Sequence, residues 1–232
     1  MIRLLVSVRT VDEGLMAAAG GADFIDLKEP RAGALGGLPV ATVRSIMAAL
    51  RNQGCRLPVS ATIGDLPMHE LPAILRQVNA IGACGVDYVK VGIDRTPAAA
   101  AVLAALAASP WPVVPVFIAD QGLDFDLLGQ AMDFPGVMVD TADKLAGSLF
   151  DAVAADELGR FVTLAREAGT MVGLAGALRL QHLPALFELA PDFAGFRSAV
   201  CAGDRGSALS PGLLRGLAHR LHAHVTLATA LL

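Results

Sequence analysis

Short runs rich in Val, Ile, Leu and Phe alternate along this chain with longer stretches in which apolar residues recur every three or four positions. The first pattern marks strands buried on both faces, and the second marks amphipathic helices. Strands are expected at Arg3 to Val8, Asp23 to Leu27, Pro58 to Ile63, Val86 to Val91, Pro112 to Ile118, Gly136 to Val139, Thr170 to Leu174 and Phe193 to Arg197. Helices are expected at Val11 to Ala19, Pro39 to Asn52, Leu71 to Ala83, Pro97 to Ala108, Asp156 to Ala168, Leu180 to Leu189 and Pro211 to His224. The fifth unit offers only Phe125 to Met132, with Gly122 and Gly129 as interruptions, so a shortened or irregular helix is expected there. Gly-Gly-Ala-Asp-Phe, Cys-Gly-Val-Asp-Tyr and Ala-Pro-Asp-Phe-Ala-Gly-Phe echo one another as helix-to-strand turns of a repeated unit. Eight β-α units without a linker or low-complexity tract predict an α/β fold, a (β/α)8 TIM barrel forming a single domain over residues 1–232.

In such a barrel the chemistry belongs to the strand ends and the loops that follow them. Asp26 and Lys28 share the inward face of the second strand if Lys28 keeps strand geometry. Tyr88, Lys90 and Gly92 share a face of the fourth, while Asp140 ends the sixth and Lys144 lies in the loop beyond it. Ser60, Thr62 and Asp65, on the third strand and its exit, are expected to line the same pocket.

Composition sharpens this picture at one point. The chain holds three lysines, Lys28, Lys90 and Lys144, against fifteen arginines, and all three fall in these strand-end segments. Arginine stays protonated in proteins, whereas lysine can give up its proton and act as base or Schiff-base nucleophile. Two lysines held together would repel and disfavour the charged form of one, and a carboxylate beside them can shuttle protons. Structural Asp–Lys pairs closing the barrel top remain the plainer alternative.

The last two units carry glycine-bearing strand exits, Gly173-Leu-Ala-Gly-Ala and Gly195-Phe-Arg-Ser-Ala-Val-Cys-Ala-Gly-Asp-Arg. Backbone N–H groups in these loops commonly bind phosphate in barrels. Ala175, Gly176, Ala177, Arg197, Ser198 and Arg205 are therefore phosphate-binding candidates, and the loop around Gly33 could wrap over a ligand.

The remaining features exclude more than they add. A net charge of −4 and a pI of about 5.7 argue against nucleic acid or anionic membrane as partners. The longest apolar run, Ala98 to Ala108, is too short to span a bilayer. The first residues read as a strand flanked by arginines, not a signal peptide, and Cys55, Cys84 and Cys201 show no metal-ligand spacing, so a cytoplasmic protein with reduced thiols is expected. His219, His222 and His224 lack acidic or thiol partners at ligand spacing, and His69 and His182 sit near helix starts as surface or capping residues; no metal is expected. No G-x-G-x-x-G follows a strand, so no dinucleotide or other cofactor is expected. The Ala-rich Pro97 to Ala108 helix offers a flat face for homo-oligomer packing.

Five separated blocks now stand in order: Asp26-Leu-Lys-Glu-Pro-Arg-Ala-Gly-Ala-Leu-Gly, Pro58-Val-Ser-Ala-Thr-Ile-Gly-Asp, Tyr88-Val-Lys-Val-Gly, Val139-Asp-Thr-Ala-Asp-Lys and Leu174-Ala-Gly-Ala-Leu. Together they resemble the (5-formylfuran-3-yl)methyl phosphate synthase family of methanofuran biosynthesis, over nearly the whole chain. The resemblance implies a lysine-dependent barrel, a lyase acting on phosphates, that condenses two molecules of glyceraldehyde 3-phosphate to a furan aldehyde phosphate with loss of phosphate and water. It implies Lys28 as the Schiff-base lysine, Lys90 as proton acceptor, and Lys144, Asp26 and Asp140 as supporting groups. The chain departs from the family pattern in the compact Ala119 to Leu128 segment and at Ser198 and Ala202, on the rim of the mouth. A class I aldolase for a related sugar phosphate and a phosphate-binding scaffold remain alternatives.

Overall fold

The computed structural model describes residues 1–143 and 146–229, with side chains described as far as residue 223. Its strands β1 (Arg3–Val8), β2 (Phe24–Leu27), β3 (Val59–Thr62), β4 (Tyr88–Ile93), β5 (Val113–Ile118), β6 (Gly136–Asp140), β7 (Met171–Leu174) and β8 (Phe193–Phe196) pair in that order. All neighbours are parallel, and β8 returns to β1 to close the barrel. Around it run α1 (Val11–Ala19), α2 (Val40–Asn52), α3 (Leu71–Gly82), α4 (Ala99–Ala107), α5 (Phe125–Gln130), α6 (Leu149–Ala152), α7 (Ala155–Ala168), α8 (Leu183–Leu189) and α9 (Pro211–Thr229). No helix among the described residues is long and apolar enough to cross a membrane.

Local chemistry explains where these elements start and stop. Thr10 caps α1 by accepting from the Glu13 amide, and Gly169 ends α7 with φ of 75°, a conformation that costs glycine little. The fifth helix is short as its glycines predict, and it is nucleated by Asp124, whose side chain accepts from the amides of Asp126 and Leu127. The helix expected over Leu180 to Leu189 is divided. A 3-10 turn covers Leu180–His182 and α8 follows, because Pro184 lacks an N–H and fits only a first turn. The short α6 was not expected. Strand β4 ends two residues later than the pattern predicts, so Lys90 stands in mid-strand, and β6 extends to include Asp140.

Two apolar cores follow from the closure. The larger fills the space between barrel and helices. The smaller lies inside the barrel, where Phe24 and Phe193 meet with ring centroids 5.5 Å apart and Leu5, Val114, Val116 and Met138 pack with them. Glycine makes room for the larger rings: a Cβ on Gly173 would lie 2.1 Å from Phe193 Cζ. Truncating Phe193 to Ala would therefore leave an unfilled centre and cost about 3–5 kcal/mol. This packed floor forces polar side chains on the strands to gather at the upper end.

Candidate active site

Asp26 is held from three sides. It is register partner to Ser7 on β1 and to Ser60 on β3, and both hydroxyls donate to it, Ser7 Oγ to Oδ2 at 3.1 Å and Ser60 Oγ to Oδ1 at 2.6 Å. Lys90, one step higher on β4, places Nζ 3.0 Å from the same Oδ1. Three donors fix one carboxylate, so its position is set before any ligand arrives.

Lys28 follows the last residue of β2 but continues its ladder, since its amide donates to Val8 O. Its Nζ lies 3.1 Å from Asp140 Oδ2, and Asp140 Oδ1 accepts from the Thr141 amide at 2.8 Å. Lys28 and Lys90 are 6% and 3% exposed, so both ammonium groups are nearly out of water. The two lysines expected to face one another thus each face a carboxylate, and all four side chains line one cavity that opens to solvent. Lys144 lies outside the described residues.

The opposite wall of this cavity is built by the exits of β7 and β8. Ala175, Gly176, Ala177 and Ser198 line it. Among the described residues, the N–H groups of Gly176, Ala177 and Ser198 donate to no acceptor. Gly176 has φ of 118°, and a Cβ there would stand 3.0 Å from Thr141 Oγ1, so glycine lets the chain turn its amides toward the cavity. Arg205 also lines the cavity, and among the described residues its guanidinium makes no hydrogen bond or ion pair. Burial pulls its pKa below the usual arginine value, against the pull of the nearby Asp140 carboxylate, and arginine remains a cation throughout.

Four expectations need correction. Arg197, expected to bind phosphate, spends all five of its N–H donors elsewhere. It donates to both oxygens of Glu13 at 2.7 and 3.0 Å, and to the carbonyls of Ser7, Arg205 and Ser207. Thr62, expected to line the pocket, turns its hydroxyl to Gly36 O at 2.9 Å and ties down the loop between β2 and α2. Asp65 accepts from the Leu35 amide in that same loop and lines a second cavity, with Asp94, Gly92 and Ile118. Ser60 is likewise behind Asp26 and not on the cavity wall.

That second cavity differs in kind. Burial, with repulsion from Asp65, raises the Asp94 pKa above the ordinary aspartate value. Leu35, 1% exposed, packs over Gly92 of that second cavity's wall, with its Cδ1 2.9 Å from where a Gly92 Cβ would be. A phosphate at the Gly33 loop would therefore meet carboxylates. Sequence reasoning missed Ser7, Glu13 and Leu35. A serine on the inward parity of an apolar first strand was the available signal for Ser7; nothing in the sequence marked the other two.

Among the described residues no cluster of His, Cys, Asp and Glu could hold a metal ion. His222 Nε2 instead meets Asp23 Oδ2 at 2.9 Å at the far end of the barrel, and His182 Nδ1 accepts from the Arg179 amide. The side chain of His224 lies outside the described residues. Cys55, Cys84 and Cys201 are unpaired thiols.

Residues 4–218 match the family model described as 4-HFC-P synthase. The chain is 35% identical over 95% of its length to the (5-formylfuran-3-yl)methyl phosphate synthase of Archaeoglobus fulgidus, covering 100% of that protein. With the Methanopyrus kandleri synthase it shares 36% identity, covering 94% of this chain and 98% of that one. A Methylorubrum extorquens protein that carries the same name provisionally is 42% identical, with 89% of this chain and 86% of that one covered. Among solved structures, phosphoribosyl anthranilate isomerase from Thermus thermophilus superposes with a TM-score of 0.65 at 19% identity, covering 96% of this chain and 99% of that one. The corresponding enzyme of Thermococcus kodakaraensis gives 0.64 at 17%, with 95% and 99% covered. These two likenesses show the barrel fold.

Proposed function

Because the chain belongs to the 4-HFC-P synthase family, an enzyme family, we propose that it condenses two molecules of glyceraldehyde 3-phosphate into (5-formylfuran-3-yl)methyl phosphate through a Schiff base on Lys28. Two triose phosphates exceed the product by one phosphate and two waters, so the reaction needs no oxidant. It would serve the making of a methanofuran-type one-carbon cofactor, in the cytoplasm, by a homo-oligomer acting on a phosphorylated aldehyde and needing no resident cofactor.

One observation carries this reading: a nearly water-free lysine side chain stands 3.1 Å from a carboxylate, in a cavity whose opposite wall offers a guanidinium and amides that have no partner among the described residues. Asp140 can take the proton that Lys28 must lose to attack the aldehyde, and can return it when water leaves the carbinolamine. The iminium then withdraws electrons from the neighbouring carbon. Lys90, once it has passed its own proton to Asp26, removes the proton there, and the resulting enamine forms the new carbon–carbon bond with the second aldehyde. Arg205 and the amides of Gly176, Ala177 and Ser198 bind phosphate. Lys144 belongs to this group as a supporting cation on the family's pattern.

The test is incubation with glyceraldehyde 3-phosphate, with and without borohydride. The proposal expects a reduced adduct on the Lys28 peptide, a furan absorbance, a product of matching mass and equimolar phosphate release. An adduct with a non-aromatic sugar phosphate would establish an aldolase instead, and neither adduct nor product would leave a phosphate-binding scaffold.

A further inference from the structure

Three successive carbonyls in the loop between β8 and α9 are each held by an arginine. Arg205 O accepts from Arg197 Nε at 2.9 Å, Gly206 O from Arg31 Nη2 at 3.2 Å, and Ser207 O from Arg197 Nη2 at 2.6 Å. From the other side Asp204 Oδ1 accepts from the Gly206 amide and from Ser207 Oγ, both at 2.9 Å. The loop's carbonyls and amides are therefore gripped on both sides, while the Arg205 guanidinium that it carries lines the cavity and has no partner among the described residues.

Arg197 is itself fixed. Glu13 on α1 takes its two terminal nitrogens side by side, and Glu13 Oε2 also accepts from the Arg9 amide at 3.0 Å. Glu13 is 5% exposed, and such a buried pair recovers little net stability after desolvation. Its planar two-point geometry does, however, fix the orientation of a fork whose remaining donors reach the loop. Arg31 grips the same loop from outside and sits three residues beyond Lys28, so the imine lysine and the free guanidinium hang from one connected frame. Gly206 is what admits it, since a Cβ there would lie 2.6 Å from Arg31 Nε.

We propose that Glu13 and Arg31 are positioning residues that set the affinity of the mouth for a phosphate group by fixing, through Arg197 and the carbonyls of residues 205–207, the place of the Arg205 guanidinium. The inference rests on the reading that the mouth takes a phosphorylated substrate.

Inorganic phosphate is the probe, titrated calorimetrically into the intact protein, alongside KM and kcat for glyceraldehyde 3-phosphate and the melting temperature. Arg205→Ala should weaken phosphate by about tenfold or more, Glu13→Gln by about tenfold and Arg31→Ala by about threefold, the scale of losing or misplacing a charge-assisted hydrogen bond. KM should rise in step, with kcat held within about threefold. The deciding measurement is the double variant. With Arg205 already Ala, neither Glu13→Gln nor Arg31→Ala should weaken phosphate further. Equal losses with and without Arg205, or a lowered melting temperature with unchanged phosphate affinity, would overturn the proposal. Arg31 is exposed, so its variant carries the test if Glu13→Gln does not fold. Wild-type protein that binds no phosphate would defeat the substrate reading and this inference with it. Phosphate binding weakened by Arg205→Ala alone would defeat only the inference.

Discussion

The two halves of the barrel mouth are built from the same repeat and do opposite things. Above β1, β2 and β6 to β8, with Lys90 reaching in from β4, buried lysines meet carboxylates, and among the described residues amides are unused and an arginine guanidinium has no partner. Above β3 to β5, Leu35 packs over Gly92, the walls are largely apolar and the two carboxylates that line them, Asp65 and Asp94, repel each other. Anionic substrates should therefore be handled on the first side, and on the proposed reaction the second phosphate is expected near Arg205 and not at the Gly33 loop. A mouth divided this way predicts that activity and stability separate by half.

The most severe test is Lys28→Ala. Loss of a covalent nucleophile should lower turnover by on the order of 10³-fold or more and abolish the borohydride-trapped adduct. Unchanged turnover would move the chemistry off this side altogether. Lys90→Ala should cost about 10²–10³-fold as a lost proton acceptor, yet keep the adduct, because imine formation precedes its step. Peptide mapping of the trapped protein distinguishes the two lysines.

On the second side Leu35→Ala should do the reverse. Removing a 1% exposed side chain should cost about 2–5 kcal/mol, seen as a fall in melting temperature, while turnover stays within about threefold. A turnover loss exceeding the stability loss would show that Leu35 shapes the reactive space and that the division is not functional.

The sequence carried the first side better than the second for a physical reason. Strand parity depends only on spacing, so Asp26, Lys28, Lys90 and Asp140 could be placed on one rim from their positions alone. Arg197 was misassigned because residue type predicts that a guanidinium will find an anion, but not whether that anion is a ligand or Glu13, which arrives from a helix 184 residues away in sequence. Leu35 was invisible because its burial comes from a loop folding back over Gly92, a tertiary event with no periodicity. The divided α8 shows the same limit on a smaller scale, where one proline decided a boundary that apolar spacing left open.

The smallest expected effect concerns Asp94. Its carboxyl titrates above the ordinary aspartate value in the folded chain, first because burial disfavours the charge and then because Asp65 repels it. Between the unfolded value and that raised folded value, the folded protein binds more protons than the unfolded one, so stability falls as pH rises through the window. Above the raised folded value the whole cost is present; below the unfolded value it vanishes. Asp94→Asn removes the charge and keeps the shape, so it should raise the melting temperature by no more than about 2 °C at pH 7, with the gain shrinking to nothing in acid. Turnover should not change if the acidic side takes no part in catalysis. A variant that melts lower at pH 7, or that loses activity, would mean the carboxylate is engaged by a favourable partner and that the two halves of the mouth work together.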